Sequence, residues 1–457
     1  MSSFKKYRYH RAVSPALITA LGFVAIIMFG AALLMTPIAS ADRVWTSPLD
    51  AVFTATSATC VTGLVTLDTA SHFSIFGQCV ILFLIQIGGL GFMSMAVLLS
   101  TIIRRTISPK ERVIIAQAYG LETGGGTVRL MRKILMGTLL FESSGAVILS
   151  LRLFLSYGFS PAESIYKGIF VSVSAFCNAG FDPFGTKETP FISLMGFNKD
   201  PIVLLTLAAL IIIGGIGFIV WDDIHNMIRK KKRLGVYPKF ILVITAFLLI
   251  SGTVIFSLLE WNNPKTLGGY SSGYKILNAF FQSVTLRTAG FNTLNISAFG
   301  ESGAFISILY MIIGGASGST AGGIKVGTIG VLFIAAFCAA TGKPRVTVYG
   351  RKISREIILR ALSVMLMAIL LIFTAGIAIN LIDGAPLLQS MYEAASAYAT
   401  VGVSMAGTPT LSAASHVIII LLMYLGRVGI LTVTFAVAMK THDEYLLDYP
   451  NINMPIG

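Results

Sequence analysis

Eight long apolar segments limit what this chain of 457 residues can fold into. A helix that crosses a bilayer needs about 20 predominantly apolar residues. Only 12% of the residues are charged, whereas a soluble domain carries about 25%. The chain is therefore predicted to be an all-α polytopic membrane protein with eight transmembrane helices. The predicted spans are Ala16–Ile38, Phe73–Ile103, Leu135–Ser156, Ile202–Val220, Phe240–Leu259, Phe305–Ile313 with its continuation, Ile357–Ile382 and Val417–Met439.

The basic residues predict how these spans are oriented. Most of the 34 Lys and Arg residues lie in the N-terminal tail and in alternate connections, and Lys- and Arg-rich connections stay in the cytoplasm. The rich connections are Arg104–Lys133, Arg229–Lys239 and Lys343–Arg360. Both termini are therefore expected in the cytoplasm. The net charge of +14 follows from this distribution, so we expect membrane lipid and no nucleic acid as a partner.

A short motif occurs four times at a nearly constant interval. Each copy is an apolar stretch too short to span, ending in a turn with one glycine, and the four glycines are 117, 110 and 112 residues apart. An aromatic residue stands ten positions before each glycine, at Phe53, Phe170, Phe280 and Tyr392. The four turns are Val61-Thr62-Gly63, Asn178-Ala179-Gly180, Thr288-Ala289-Gly290 and Thr400-Val401-Gly402.

Each copy belongs to a repeat of about one quarter of the chain. We predict that a repeat is a spanning helix, a short re-entrant helix and loop that enter from outside, and a second spanning helix. Non-helical backbone at membrane depth survives only inside protein or lining water, so the four loops are expected around a pseudo-fourfold central pore. The predicted boundaries are 14-128, 129-236, 237-350 and 351-440 for repeats one to four, with cytoplasmic tails at 1-13 and 441-457.

Backbone carbonyls of the four turns are candidate cation ligands. A dehydrated cation needs oxygen ligands, which ion channels supply from rings of carbonyls, and glycine reaches the required dihedral angles at no steric cost. The C-terminal ends of the short helices carry a partial negative charge that also favours a cation. The twelve residues of the turns are therefore the predicted selectivity filter. One glycine per turn predicts fewer strict ion sites than a tetrameric channel has.

A second glycine element follows each turn, 24 to 34 residues after the turn glycine. From the sequence, these glycines either allow close helix packing, as small residues do in membranes, or have a more direct role. The elements are Ile87-Gly88-Gly89-Leu90-Gly91, Ile213-Gly214-Gly215-Ile216-Gly217, Ile313-Gly314-Gly315-Ala316 and Leu425-Gly426-Arg427-Val428-Gly429.

The turns, the glycine elements and the chain length resemble the Trk/Ktr/HKT potassium transporter superfamily, and within it the Ktr-type membrane subunit (KtrB/KtrD type), from Ser14 to about Lys440. The resemblance implies a potassium-translocating subunit of a bacterial plasma membrane, homodimeric and often sodium-dependent, with sodium as an activator and no covalent cofactor. It also implies a cytoplasmic ring of nucleotide-binding (RCK/KTN-type) regulatory subunits. Potassium would bind the carbonyls of the turns. Sodium-transporting plant relatives have serine at the position of Gly63, so its glycine favours potassium.

The second span of repeat three contains ten residues rich in Gly, Ser and Thr. Each interior glycine costs a helix about 1 kcal/mol relative to alanine, so a regular helix is not expected here. A flexible break below the filter predicts a gate, as the resemblance also implies, and a packing kink is the alternative. The segment, hereafter the intramembrane loop, is Gly314, Gly315, Ala316, Ser317, Gly318, Ser319, Thr320, Ala321, Gly322 and Gly323.

Three basic residues lie within the apolar segments, where a charge is energetically unfavourable. Arg427 replaces a glycine of the second element, and arginine at the bilayer centre costs at least about 2.5–3.5 kcal/mol. We expect it to face the pore, to bond carbonyls of the intramembrane loop and to act as a barrier for ions. Arg287 is predicted to be a structural brace paired with a carboxylate. Lys325 either lines the vestibule or bonds the gate.

A membrane enzyme, either a hydrolase or a nucleotide-driven pump, and a substrate carrier fit the sequence less well. A serine hydrolase would need a Gly-x-Ser-x-Gly elbow, and Gly318–Gly322 centres on threonine. A nucleotide-driven pump would need the Gly-Lys-[Ser/Thr] order, which Gly318–Lys325 lacks. A carrier with inverted repeats is disfavoured because all four repeats run in the same sense and the spans contain few carboxylates beyond Glu142. The chain is therefore not expected to be an enzyme.

Overall fold

The computed structural model describes residues 15–91, 127–343 and 345–429, which are mostly helical. Each repeat consists of a first helix, a short helix and a second helix. The first helices are Pro15–Met35, Thr127–Tyr157, Val236–Glu260 and Arg355–Asp383. The short helices are Pro48–Cys60, Pro161–Phe176, Ser272–Thr285 and Leu387–Ala399. The second helices are Ile75–Leu90, Pro201–Gly215, Glu301–Ile312 and Ala413–Val428.

The remaining elements are short or continue a second helix. Helix Phe218–Lys230 follows the second helix of repeat two, and helix Val326–Ala340 follows that of repeat three. Strands Thr347–Val348 and Arg351–Lys352 form an antiparallel hairpin in the register Thr347↔Lys352 and Val348↔Arg351. The others are the helix Thr69–His72 and the 3-10 turns Met195–Phe197, Ile296–Ala298 and Thr408–Thr410.

The four first helices have the length and composition of transmembrane helices. Their outward faces carry large apolar side chains, such as Leu366, Leu370 and Phe373, which are more than half exposed. Such faces are stable against lipid, because hydrocarbon gives them the same environment as a protein core. The short helices are enclosed instead. Residues 53–64 and 392–403 are buried without exception, so the first helices form the wall and the short helices the interior.

The second helix of repeat two is broken, where a continuous span was predicted. In place of the predicted span Ile202–Val220, the helices Pro201–Gly215 and Phe218–Lys230 meet at an angle of 99°. Gly217 makes this bend with φ 93°, which glycine adopts without steric cost. The second helices of repeats one and four end at the equivalent Gly91 and Gly429. The parts of those predicted spans beyond these glycines lie outside the described residues.

Candidate functional site

The four turns, called loops one to four, share one backbone conformation. In each, the first and the third residue have positive φ. The first position is β-branched in three of them, and such residues seldom adopt positive φ. Conformations of this kind cost about 1–3 kcal/mol each and cluster at functional sites. The φ values are 58° and 92° at Val61 and Gly63, 60° and 71° at Asn178 and Gly180, 70° and 84° at Thr288 and Gly290, and 53° and 94° at Thr400 and Gly402.

The four loops close into a ring, hereafter the four-glycine ring. Each glycine lies against the carbonyl oxygen that precedes the glycine of the next loop, and a Cβ added there would come under 3 Å from that oxygen. The contacts return to their start after four steps, so the repeats surround one axis. They run from Gly63 to Ala179, from Gly180 to Ala289, from Gly290 to Val401 and from Gly402 to Thr62.

The short helices hold the loops in this conformation. Serine six residues before the glycine accepts a hydrogen bond from its N–H in loops one and four, over 3.0 Å from Gly63 to Ser57 and 3.1 Å from Gly402 to Ser396. In loop three, Thr285 Oγ1 instead donates to the Phe291 carbonyl over 2.7 Å. These bonds fix the loops from behind. The C-terminal, partially negative ends of all four short helices meet at the ring.

A cavity of about 240 Å³ lies on one side of the ring, and all four turn glycines line it. Polar residues of the segments that follow the glycines line it too, among them Asp182, Asn292 and Ser404. Each of these three residues stands two positions after a turn glycine, a regularity that the sequence analysis missed. Burial raises the pKa of Asp182 to about 7, opposed by a backbone hydrogen bond from Phe184 and assisted by the nearby Asp68.

The insertion between Asp182 and Asp200, which lengthens repeat two relative to the other repeats, is partly buried. Leu194 is fully buried, and its N–H donates to the Asn292 carbonyl over 3.0 Å. Ser193 in turn accepts from the Asn292 N–H over 3.1 Å. The insertion therefore forms part of the cavity wall and connects it to loop three.

The intramembrane loop lies against the ring on the side opposite the cavity. Its ends are joined by a parallel bridge between Ile313 and Ile324. Backbone bonds connect it to the bend of repeat two: Ala316 N–H donates to the Gly215 carbonyl over 2.9 Å. The loop also touches loop four, since a Cβ on Gly322 would overlap the Thr400 hydroxyl.

Arg427 connects three repeats at this level. Its guanidinium donates to the Thr320 carbonyl in the intramembrane loop and to the Gly88 carbonyl at the end of the second helix of repeat one. Because a guanidinium carries several N–H donors in one plane, it can donate to two carbonyls at once. Lys325 Nζ donates to the Ala321 carbonyl over 2.8 Å, so of its two predicted positions the structure places it on the intramembrane loop.

Among the described residues, Arg287 does not have the carboxylate partner that its sequence context predicted. Arg287 is only 5% exposed, but within the described residues no carboxylate pairs with it. One terminal nitrogen lies 3.5 Å from Thr245 Oγ1, and Nε has no hydrogen-bond partner in the described part of the chain. Its carbonyl accepts a hydrogen bond from the Asn178 side chain. Arg287 therefore braces loop three through its backbone.

The second glycine elements pack the second helices onto the short helices. In repeats one, two and four, a Cβ on the first glycine of the element would overlap a carbonyl oxygen near the end of the same repeat's short helix. The pairs are Gly88 with Thr59, Gly214 with Phe176, and Gly426 with Tyr398. Close packing is thus one role of these glycines. In repeat two, the bend at the last glycine, Gly217, is a second role.

The arrangement suits passage of a desolvated cation. A closed ring with four carbonyl oxygens, at the negative ends of four helices, lies between a polar cavity and the intramembrane loop. An anion would be repelled by the same oxygens and helix ends. Among the residues that the structure describes, no group of three or more His, Cys, Asp or Glu side chains could hold a metal ion.

Comparison with known proteins agrees with this arrangement. A family model described as TrkH, cation transport protein, matches residues 4–448. The potassium/sodium uptake protein NtpJ of Enterococcus hirae is 38% identical over 457 residues, 99% of each chain. The Ktr system potassium uptake protein B of Bacillus subtilis is 39% identical over 444 residues, which is 97% of this chain and 96% of that protein.

A solved structure is similar over most of the chain. The potassium transporter TrkH from Vibrio parahaemolyticus superposes with a TM-score of 0.73 at 19% identity, covering 96% of this chain and 87% of that one. At this identity the match concerns the fold. It confirms the predicted all-α membrane architecture of helix, re-entrant loop and helix repeats.

Proposed function

This chain belongs to the TrkH family of cation transport proteins, and on that premise we propose that it is the ion-translocating subunit of a Ktr-type potassium uptake system. As a member of this family it is a multi-pass membrane transporter and not an enzyme. The relatives named for potassium uptake, over nearly their full length, support the choice of ion. The observation that carries the proposal is the four-glycine ring at the base of the outer cavity.

The proposed path has three parts. A hydrated cation enters the outer cavity, where carboxylates lower its energy. It loses water at the four-glycine ring, whose carbonyls replace the hydration shell; the twelve residues of loops one to four are the proposed filter. The intramembrane loop, with Lys325 and Arg427, is the proposed gate, because it lies directly beneath the ring and Arg427 adds a positive charge there.

Uptake of tracer rubidium into vesicles that contain the purified chain tests this proposal. We expect uptake above that of empty vesicles, inhibited by potassium, and faster with sodium present if sodium is an activator. If the folded chain takes up no rubidium, either in the presence or in the absence of sodium, the proposal is rejected. Uptake that sodium leaves unchanged would reject only the sodium dependence.

Orientation and partners complete the proposal. We propose that both termini lie in the cytoplasm, which the basic connections support. We also propose a homodimer with a cytoplasmic nucleotide-binding regulatory ring, as in the Ktr systems that the chain resembles. The described part of this face carries exposed basic residues on the end of helix Phe218–Lys230, at 231–233, and on the hairpin Arg351–Lys352. A soluble subunit with an acidic rim would fit them.

Charge reversal of this face is expected to uncouple transport from the regulatory subunit. Arg351→Glu with Lys352→Glu should reduce co-purification of the soluble subunit, and the effect of its nucleotide on rubidium uptake, several-fold, because like charges then face each other. Lys265→Glu, an exposed position on the predicted outer face, is the control. Full nucleotide-insensitive transport by the chain alone would contradict the partner proposal.

Acid pH is expected to weaken cation binding at the outer cavity. The pKa of Asp182 is raised to about 7, so as pH falls through that value the carboxylate is protonated and its attraction for cations is lost. The rubidium concentration for half-maximal uptake should therefore rise a few-fold from about pH 8 to about pH 6, and Asp182→Asn should remove most of the change. Asp42→Asn is the control, because the Lys187 ammonium hydrogen-bonded to Asp42 lowers the pKa of that carboxyl. A pH dependence that Asp182→Asn leaves intact would contradict the assignment.

A further inference from the structure

Asn178 differs from the residues at its position in the other three loops. Val61, Thr288 and Thr400 are β-branched, whereas Asn178 carries an amide that is 1% exposed. An amide has donors and acceptors at its tip, so a buried Asn at this position can connect elements that the shorter side chains cannot reach.

One side of the amide holds loop two to loop three. Nδ2 lies 3.3 Å from the Arg287 carbonyl oxygen and 3.4 Å from Thr288 Oγ1. Because a carbonyl can only accept, the nitrogen must face this side. The bond crosses the seam at which Gly180 meets loop three, where a Cβ on Gly180 would lie 2.8 Å from the Ala289 carbonyl oxygen. The amide therefore helps to set the spacing of two neighbouring ring carbonyls.

The other side of the amide meets the intramembrane loop. The Thr320 hydroxyl lies 3.3 Å from Asn178 Oδ1 and 3.2 Å from the Phe176 carbonyl oxygen. Its single proton can be donated to either acceptor, and both belong to the end of the short helix and the loop of repeat two. Thr320 is also where the intramembrane loop is held, since its carbonyl accepts from Arg427.

We propose that Asn178 is a positioning residue that couples the intramembrane loop to the ion preference of the four-glycine ring; this rests on the proposed function. When the loop moves aside to let an ion pass, Thr320 leaves with it. A buried amide that loses a partner is unfavourable, so the bonds from Asn178 to loop three rearrange and the carbonyl spacing at the seam changes. The ring then discriminates potassium from sodium differently in the closed and the open state.

Two substitutions separate this coupling from a general loss of structure. Thr320→Val keeps the shape and the backbone carbonyl that Arg427 binds but deletes the hydroxyl. Asn178→Gly deletes the amide and tolerates the φ of 60°. Thr320→Ser retains the hydroxyl and is the conservative rescue. Thr253→Val is the matched control, because the Thr253 hydroxyl bonds only within its own helix, to the Leu249 carbonyl.

The measurement is the ratio of rubidium to sodium flux per folded protomer. We expect Thr320→Val and Asn178→Gly each to change the ratio about threefold or more, with no further change in the double variant, as for residues that act through one contact. Thr320→Ser and Thr253→Val should keep the wild-type ratio. Wild-type ratios in both single variants, or additive effects in the double, would overturn the coupling.

The proposed function and the proposed coupling can fail independently of each other. A wild-type chain that passes neither ion would reject transport itself, whereas a wild-type chain that transports with a ratio insensitive to Thr320→Val rejects only the coupling. If Asn178→Gly does not fold, the comparison of Thr320→Val with Thr320→Ser decides, because the two differ in the hydroxyl and the backbone bond to Arg427 is the same.

Discussion

Gly402→Ser, and separately Gly290→Ser, is expected to lower the preference for potassium over sodium about tenfold or more, the effect of losing 1.4 kcal/mol of selective stabilisation. Both glycines have φ near +90°, at 94° and 84°, where a side chain costs about 1–2 kcal/mol. A Cβ would also push on the next ring carbonyl, which is the Thr62 oxygen for Gly402 and the Val401 oxygen for Gly290. The displaced carbonyl no longer fits a potassium ion.

These variants are tested by measuring rubidium uptake at increasing concentrations of competing potassium and, separately, of sodium. Gly384→Ser is the matched control, since Gly384 also has positive φ, 67°, but has nothing within 4 Å of an added Cβ. It shares the backbone strain without the contact. Unchanged potassium affinity and unchanged sodium inhibition in both ring variants would show that the ring is not the filter.

The four-loop plan could be derived from the sequence because it depends on local patterns. A short apolar stretch, a glycine at a fixed interval and alternating basic connections are each visible in the residues of one repeat. One detail of the pattern differs in repeat three, where the fully buried aromatic is Phe281 and the partly buried Phe280 is the residue ten before the glycine. The short helix there ends at Thr285, five residues before Gly290 rather than three as in repeats one and four.

Other features depend on contacts between repeats, which no local pattern encodes. The apolar run Ile202–Val220 has the composition of a continuous span, yet it bends by 99°, because Gly217 and the backbone of the intramembrane loop meet there. Likewise, the sequence predicted a carboxylate partner for Arg287, but within the described residues its side chain contacts the hydroxyl of Thr245. The contact between Asn178 and Thr320 joins residues 142 positions apart.

Shortening the intramembrane loop is expected to raise the ion flux. Deletion of 317–320 removes Thr320, which contacts Asn178 in loop two and Arg427, while the backbone bonds between Gly314 and Ile324 and between Val326 and Gly315 keep the cut ends together. Hydrogen bonds to a charged group contribute about 1.5–3 kcal/mol, so releasing the loop from Arg427 should raise the open population about tenfold. The measurement is rubidium uptake per folded protomer.

Arg427→Ala is expected to raise the flux in the same direction, because it releases the Thr320 carbonyl and so removes the contact that holds the intramembrane loop in place. The double variant should show no further increase, since the deletion already removes Thr320, the residue of the intramembrane loop to which Arg427 donates. Arg427→Lys should fall in between, because a single ammonium cannot bridge the carbonyls of Thr320 and Gly88 as a planar fork does. A segment that only packs helices would behave differently: its deletion would lower both the amount of folded chain and its transport. A lower flux in the deletion variant, at normal expression, would mean that the loop is not a gate.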